Sequence, residues 1–408
     1  MEQKEMPLAG LKVLELAIVV AAPTAGRMLA TYGAEVIKVE MPPYGDQARR
    51  DGVMLSMPAE DGNNPLFDVC NSGKKTISLN LKTPEGMAIF KKLLAEADVF
   101  LSNIRMGSLE RMDLDYESVH REFPSLIYAH LSGHGLEGPD SNLPGYDFTT
   151  FWAASGPMTA WQLPGSFPFT PAYGFGDVAT SGMFLSGILM ALLARQRTGL
   201  GTQVTTSLLG TGMWCNFCGV VSAQEPYNMP YPADRYHTFS PLNSFFKSSD
   251  GDWFLIFFKE YPLAKATIAR LFNMPQLLTD ERYASLVEMK KTGAIRDIVD
   301  RIAEVFASKT TEELRVILKG EDIPFSVLAQ QSKACENKQA LLNGNLQPYT
   351  YPDGSTPTIP QPPMGFSEYT RRPFAAAGSI GQHTDAVLTD LGYSPEEIAT
   401  LREKGSIL

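Results

Sequence analysis

The sequence predicts an α/β protein with a Rossmann-like large domain, built on a parallel sheet, and a smaller α+β domain joined by long connectors. Short apolar strand patterns alternate with helical patterns through residues 11–133. A hairpin pattern opens a separate segment near residue 244. The chain of 408 residues is also longer than the ~250–300 residues at which a single core stops growing.

The first strand–helix–strand unit is the clearest of these patterns. KVLELA (12–17) and EVIKVE (35–40) predict strands. Pro23 suits the first turn of a helix that runs to about Tyr32, and Gly33 suits its C-terminal cap. The alternation continues through TISLNL (76–81), a helix opened by Thr83, DVFLSN (98–103), LIYAHLSG (126–133), a helix at 177–199 and QVTTSLL (203–209).

The second half of the chain predicts the smaller domain and the connectors. SFFKSSDGDWFLIFF (244–258) predicts a hairpin with its turn at Asp250-Gly251. Capping boxes at Thr310 and Ser394 start two of the helices. The predicted organisation is a large domain at 1–205, a connector at 206–235, a small domain at 236–330, a connector at 331–380 that returns to the large domain, and C-terminal helices at 381–408 that pack on it.

Composition excludes several classes of function. A net charge of −10 argues against a nucleic-acid-binding face. The N-terminus has no apolar signal core, and Met183–Leu193 is too short to span a bilayer, so we expect a cytoplasmic protein that binds no membrane. The CxxC at Cys215 and Cys218 lacks further metal ligands, so no metal site is predicted. AIVVAAPTAG (17–26) lacks the three-glycine dinucleotide fingerprint, which excludes a nicotinamide dehydrogenase.

One local feature points to chemistry. Gly174-Phe175-Gly176-Asp177 leads directly into an apolar helix. The positive end of a helix dipole stabilises a carboxylate, so Asp177 is expected to stay ionised at neutral pH and to be able to act as a nucleophile. The preceding glycines, Gly176 among them, are expected to leave room for a bulky substrate. The alternative is that Asp177 is only the N-cap of the helix, and local chemistry leaves both open.

Four ordered segments of the chain carry a resemblance to a known family. They are LKVLELAIVVAAPTAGRMLATYGAEVIKVE (11–40), NSGKKTISLNLKTPEG (71–86), GDVATSGMFLSGILMALLARQRTGLGTQVTTSLL (176–209) and GQHTDAVLTDLGYSPEEIATLREKG (381–405). These segments resemble the class III CoA transferases, the formyl-CoA and carnitine-CoA transferase family. The similarity covers nearly the whole chain, and it implies that Asp177 is the catalytic aspartate. In that family an aspartate attacks an acyl-CoA thioester, forms a mixed anhydride and then an aspartyl-CoA thioester, and passes CoA to an incoming acid. CoA is therefore a substrate, and no further cofactor is implied.

The resemblance also implies a set of CoA contacts. The backbone of Val19 and Ala21 and the side chains of Asn103 and Arg111 match the family's CoA-binding positions. Further phosphate-binding candidates are Lys74 and Lys75, with solvated surface lysines as the alternative.

Tyr146 and Asp147 match family positions near the reaction centre, and the resemblance implies that they position the substrate. The alternative for Asp147 is the N-cap of a short helix at 148–154. Arg105 stands where relatives often have glycine, and Met41 replaces a basic residue. Val20 replaces a glutamine of the oxalate-linked members, and residues 237–246 replace their glycine-rich flap. The changes at Val20 and at residues 237–246, together with Asp147 where the oxalate-linked members have a glutamate, argue for an acid more apolar than formate or oxalate.

Two rival functions remain to be weighed. An α-methylacyl-CoA racemase of the same fold needs a second acid–base group, and where racemases have a histidine this chain has Tyr146, whose ordinary pKa makes it a poor base. A non-catalytic CoA-binding protein would not need Asp177.

Among the transferases, the pattern is most similar to the branch that acts on 2-hydroxy acids and enoyl-CoA partners in anaerobic amino-acid fermentation, as in phenyllactate–cinnamoyl exchange. Four aromatic side chains are candidates for the lining of an apolar or aryl substrate pocket, with packing in the protein core as the alternative. They are Tyr146, Phe148, Phe151 and Trp152. The partners implied are an acyl-CoA, a small carboxylic acid and a second copy of the chain in an interlocked homodimer.

Overall fold

A six-stranded sheet in which every pair of neighbours is parallel forms the centre of the computed structural model, which describes residues 5–238 and 240–408. Residues 1–4, which belong to the N-terminal stretch used for the prediction on a signal core, and Phe239, within the predicted flap replacement, lie outside the described residues. The strand order is β3-β2-β1-β4-β5-β6, which is the order of a doubly wound Rossmann sheet. All six predicted strands are confirmed as β1 (Lys12–Leu16), β2 (Glu35–Glu40), β3 (Lys75–Ser78), β4 (Val99–Ser102), β5 (Ile127–Ser132) and β6 (Gln203–Ser207).

The strand order reverses between β1 and β4, and this point places the site. In open α/β sheets, ligands bind outside the carboxyl ends of the strands at such a switch point. Leu14 of β1 lies beside Ile37 of β2 and Phe100 of β4, so the loops that follow β1 and β4 leave the sheet side by side.

Helices cover the sheet. Their apolar faces bury a core in which the rings of Phe90, Phe100 and Tyr128 meet edge to face. Up to residue 222 the helices are α1 (Ala21–Thr31), α2 (Ala48–Asp51), α3 (Pro65–Asn71), α4 (Pro84–Glu96), α5 (Met106–Glu110), α6 (Tyr116–Glu122), α7 (Pro157–Ala160), α8 (Phe175–Thr198), α9 (Leu208–Cys215) and α10 (Phe217–Ser222), with a π-helix at Asp147–Ala153.

Helix α8 is long, apolar and packed against α1 and β6. Glycines in the left-handed conformation flank both ends, Gly174 with φ +73° and Gly199 with φ +70°. Its 24 residues are long and apolar enough to cross a membrane by length and composition alone. A core helix of a soluble protein passes the same test, and one side of α8, including Thr180, Phe184 and Ile188, is buried inside the protein.

The chain divides into two units. The first runs to Pro157 and includes Thr170–Val220 and Asn337–Leu408; the second comprises Met158–Phe169 and Val221–Glu336. Sequence patterns did not indicate that Met158–Phe169 groups with the second unit. In that second unit an antiparallel sheet contains β7 (Phe245–Lys247), β8 (Trp253–Ile256) and β9 (Phe325–Val327), packed with α11 (Tyr261–Leu271), α12 (Leu286–Thr292), α13 (Ile295–Ala307) and α14 (Thr311–Gly320).

The predicted local signals of the second half are confirmed. Ser248 and Asp252 pair across the hairpin turn, where Gly251 has φ +101°. Thr310 and Ser394 each form a capping box. His383 Nδ1 accepts the N–H of Thr76, which ties the C-terminal segment to β3. That segment contains α15 (Lys338–Leu342), β10 (Leu346–Pro348), β11 (Thr358–Pro360), α16 (Thr384–Asp390) and α17 (Pro395–Glu403).

Candidate active site

A cavity of about 330 Å³ opens at the carboxyl ends of β1, β4 and β5. The loop after β1 and the start of α1 form one wall, and residues 103–108 after β4 form another. Asp177 of α8 also lines this cavity, which lies at the switch point where open α/β sheets bind ligands. The remaining lining comes from residues 130–133 at the end of β5, from Leu136, from residues 141 and 143–146, and from Leu208.

Asp177 is the third residue of α8 and not its N-cap, which is Gly174. The N-cap interpretation of Asp177 is therefore wrong. Its side chain is buried, with 7% of the residue exposed. Burial, and in second place the charge of Asp147, raise the pKa of Asp177 to about 7. The expectation that the helix dipole keeps Asp177 fully ionised at neutral pH needs correction, because desolvation outweighs the dipole and leaves about half of the molecules protonated at pH 7.

Asp147 is the partner carboxyl group. It is the first residue of the π-helix, whose N-cap position is held by Tyr146, so Asp147 is not a helix cap. Both of its carboxyl oxygens are buried, and neither makes a hydrogen bond of regular geometry with any residue that the structure describes. Burial raises the pKa of Asp147 to about 6, against the attraction of the backbone amides at Gly174–Asp177.

Gly176 allows the π-helix to approach α8. A Cβ atom at this position would clash with Asp147 Oδ1 and with the ring of Phe151. The space beside Gly176 is therefore taken by the protein itself, and the prediction that it leaves room for a substrate needs correction. Phe151 and Trp152 are buried and pack on one another, with centroids 5.3 Å apart, so these two rings belong to the core. Tyr146 is half exposed and lines the cavity.

Two of the predicted CoA contacts lie in the first loop and line the cavity. Val19 and Ala21 are both there, with Ala21 as the first residue of α1. Asn103 lines the same cavity, but its side chain is engaged: Oδ1 accepts the N–H of Ile18 at 2.9 Å and Nδ2 donates to the carbonyl of Ile18 at 2.8 Å. Asn103 therefore holds the loop after β1, which forms one wall of the cavity.

The predicted basic residues are not brought together. Lys74 is buried, and its Nζ contacts Glu15 at 2.7 Å and the carbonyl of Pro23. Lys75 pairs with Glu35 at the amino end of β3, away from the carboxyl ends where the cavity opens. The structure contradicts both as phosphate contacts within this cavity.

Arg111 does not line the cavity either. It lies next to the rim, where its Nη2 donates to Ser108 Oγ at 2.9 Å, and Ser108 does line the cavity.

Two further polar residues line the cavity: Arg105, which the sequence comparison noted as a departure from the family pattern, and His130, which the sequence interpretation missed. Arg105, the N-cap residue of α5, is exposed at the cavity wall. His130 is 2% exposed, and its Nε2 lies 2.8 Å from the carbonyl of Ile104. Burial lowers the pKa of His130, so the ring is neutral. The available signal for His130 was a single polar residue inside the otherwise apolar strand pattern LIYAHLSG.

The fold and the site together define a Rossmann-type enzyme that holds a buried carboxyl group at the switch-point cleft. CoA-transferase family III matches residues 8–384. The chain belongs to this family and is a CoA-transferase.

Similar proteins include the (R)-2-hydroxy-4-methylpentanoate CoA-transferase of Clostridioides difficile, 34% identical over 98% of each chain. The cinnamoyl-CoA:phenyllactate CoA-transferase of Clostridium sporogenes is 33% identical and covers 100% of this chain and 99% of its own. The crystal structure of a CAIB/BAIF family protein from Brucella suis has a TM-score of 0.79 at 27% identity, over 95% of this chain and 100% of that one.

Proposed function

We propose that the protein transfers CoA from an acyl-CoA donor to a carboxylic acid acceptor with Asp177 as the nucleophile. One observation carries this proposal. Asp177 is a buried carboxyl group that lines a cavity at the switch point of a family III CoA-transferase. In a dry site a carboxylate loses the hydration that would weaken it as a nucleophile.

The proposed reaction proceeds through two covalent intermediates. The Asp177 carboxylate attacks the thioester carbonyl, which forms a mixed anhydride and expels CoA as a thiolate. The thiolate then attacks the aspartyl carbonyl, which forms an aspartyl-CoA thioester and releases the donor acid. The acceptor carboxylate attacks that thioester, and the steps reverse. Because one thioester is exchanged for another, ATP is not required.

The protein's contribution is to position the groups and to control the charge of Asp177. With a pKa of about 7, Asp177 is ionised in about half of the molecules at neutral pH. Burial, and in second place the charge of Asp147, keep that pKa high. Tyr146, half exposed at the cavity, is placed to contact the acyl group. The backbone of Val19 and Ala21 and the side chains of Arg105 and Arg111 are the proposed CoA contacts.

The proposed substrates are a 2-hydroxy acid and its enoyl-CoA partner, of the kind exchanged in anaerobic amino-acid fermentation. Both curated relatives named above carry 2-hydroxy acids in their names. A set of apolar side chains in the lining of the cavity supports a branched or aryl acid over formate or oxalate. Members of the set are Ile18, Val20, Ile104, Met106, Leu131, Leu136, Leu143 and Leu208.

The active enzyme is proposed to be an interlocked homodimer. Helix α8 has a run of exposed apolar residues on the side opposite its buried face, namely Val178, Met183, Met190 and Leu193, which are 44–65% exposed. Contiguous apolar patches on a protein surface mark interaction sites, so this stripe supports a dimer contact on α8.

The second unit has a cavity of its own. This cavity has a volume of about 750 Å³ and an apolar lining that includes Trp161, Phe245, Trp253 and Phe257.

The decisive experiment is a matrix of acyl-CoA donors and free acids, analysed by mass spectrometry for new CoA thioesters. We expect exchange for 2-hydroxyacyl and enoyl pairs, and none with Asp177→Asn. Asp115→Asn is the matched control, because Asp115 is the N-cap of α6 and asparagine caps a helix equally well. Exchange that survives Asp177→Asn would remove the proposed nucleophile. Loss of the Cα proton without CoA exchange would instead indicate a racemase, and binding with neither reaction would indicate a CoA-binding protein.

A further inference from the structure

The loop after β1 is held by an unusual number of buried charges. Beneath it lie Glu15 and Lys38, both 0% exposed, and Asp46, 1% exposed. None of these three residues lines the cavity. Buried charges are costly unless they are paired, so their presence under one loop calls for a reason.

Val19 is the strained residue of this loop. Its φ is +68°, in the left-handed region that β-branched side chains rarely adopt. Such strain persists only where the surroundings impose it, and it concentrates at functional sites.

Asp46 supplies the constraint on Val19. Asp46 Oδ1 accepts the N–H of Val19 at 2.8 Å and that of Ala48 at 2.9 Å. Asp46 Oδ2 lies 2.8 Å from Lys38 Nζ, which also contacts Glu15 Oε1 at 3.1 Å and donates to the carbonyl of Ala17 at 2.7 Å. The loop is therefore held at Ala17 and at Val19 by hydrogen bonds to one connected set of charged side chains.

The backbone around Val19 offers groups that helix α1 itself does not use. Pro23, four residues later, has no N–H to donate to the carbonyl of Val19. The first amides of α1 likewise have no partner inside the helix. Both Val19 and Ala21 line the cavity that contains Asp177.

We propose that the network of Glu15, Lys38 and Asp46 positions the CoA-binding loop: it holds Val19 in the left-handed conformation, so that the backbone of Val19 and Ala21 is ready to bind CoA. This inference rests on the proposed function. Asp46 is a positioning residue, because it acts on CoA only through the backbone of Val19.

The test uses free CoA and isothermal titration calorimetry on the full chain. Asp46→Asn keeps the shape of the side chain but removes the charge that pairs with Lys38, and we expect CoA to bind about tenfold more weakly. Asp68→Asn is the matched control. Asp68 is also a buried aspartate that accepts two hydrogen bonds, from Tyr351 and Ala377, and it does not touch the loop. Its variant should lose thermal stability but keep its affinity for CoA.

Val19→Gly separates positioning from general damage. Glycine adopts positive φ without strain, so Val19→Gly in the Asp46→Asn background should restore the affinity for CoA to within about twofold of Val19→Gly alone. Equal losses in Asp46→Asn and Asp68→Asn, or no rescue by Val19→Gly, would overturn the inference.

Amide hydrogen exchange of the wild-type protein tests the same idea without any variant. The N–H of Val19 should exchange as slowly as those of β1, although it lies in a loop at a cavity. Fast exchange at Val19 overturns the inference. A wild-type protein that does not bind CoA overturns the proposed function and this inference together, whereas binding that Asp46→Asn leaves unchanged overturns the inference alone.

Discussion

Asp147 and Asp177 are two buried carboxyl groups whose charges interact: burial raises the pKa of Asp177 most, and the charge of Asp147 raises it further. Asp147 itself lies against the first turn of α8, where a side chain on Gly176 would clash with it. The pair connects the π-helix to the proposed nucleophile, and most of the properties of this site that can be measured follow from it.

The rate of transfer should depend on pH through Asp177. Its carboxylate is the proposed attacking group, so the rate of acyl transfer at low substrate concentration should rise with pH and level off above about 7. In Asp147→Asn the neighbouring charge is gone, so the pKa of Asp177 should fall and the rise should move to lower pH. Profiles of kcat/KM for the two proteins check this, and an identical midpoint in Asp147→Asn would contradict the coupling.

The same shift predicts the pH dependence of stability. A carboxyl group whose pKa is higher in the folded chain stabilises the fold while it is protonated. For Asp177 this contribution is complete below about pH 4, and it is lost as the pH rises through about 7. Asp177→Asn cannot ionise, so it should melt a few degrees above the wild type at pH 8 and close to it at pH 4. Differential scanning fluorimetry across this range measures the effect, and a difference independent of pH would argue against a buried titrating group.

A covalent intermediate should be detectable on Asp177. Wild-type protein incubated with an acyl-CoA and then with hydroxylamine should carry a hydroxamate on the peptide that contains Asp177. Borohydride should trap the activated aspartyl carbonyl by reduction. The rate of transfer by Asp177→Asn should fall at least about a thousandfold. Peptide mass spectrometry reads the modification, with Asp115→Asn as the control that should still be labelled.

The proposed role of Asp177 was easier to predict from the sequence than the residues that surround Asp177 in the fold. The alternation of short strand patterns with helical patterns predicted the six strands, and the motif around Asp177 marked the proposed nucleophile. The buried position of Lys74 could not be predicted, because two adjacent lysines are typical of a protein surface. In the fold, the side chain of Lys74 forms a buried ion pair with Glu15.

Long-range packing explains the other differences. Nothing local shows that Asp147 faces α8 without a regular hydrogen bond, or that Gly176 makes room for Asp147 and Phe151. Those contacts join segments some 30 residues apart. The raised pKa of Asp177 has the same origin, since burial depends on the whole fold while the dipole effect is visible in the helix alone.

Gly176→Ala should damage the site, whereas an equal change elsewhere in α8 should not. The added methyl group would meet Asp147 Oδ1 and the ring of Phe151, so the π-helix must move, and we expect a loss of about 1–3 kcal/mol of stability together with most of the activity. Gly182→Ala is the matched control, because open space surrounds that position and alanine favours a helix. Thermal melts and exchange assays of both variants test the prediction. Equal effects would show that α8 tolerates no alanine for reasons unrelated to Asp147.

Arg105 and Lys75 should differ in their effect on CoA binding. Arg105 is exposed at the wall of the cavity, whereas Lys75 pairs with Glu35 at the amino end of β3. Arg105→Ala should therefore weaken the binding of CoA about tenfold, mainly through its phosphates, while Lys75→Ala should leave it unchanged. Titration at two salt concentrations measures both affinities and shows whether the contribution of Arg105 is electrostatic. A larger loss in Lys75→Ala would place the phosphates at the other end of the sheet.

The apolar stripe on α8 should be covered by a second copy of the chain. Light scattering after size exclusion should give twice the mass of one chain. Met190 and Leu193 are 65% and 62% exposed, so the double change of both to Glu should place two charges in an apolar contact and yield monomers or aggregates. Leu263→Glu is the control, because Leu263 is an exposed leucine on α11 of the second unit. A wild-type chain that elutes as an active monomer would show that α8 needs no partner, and that the cavity around Asp177 is complete within one chain.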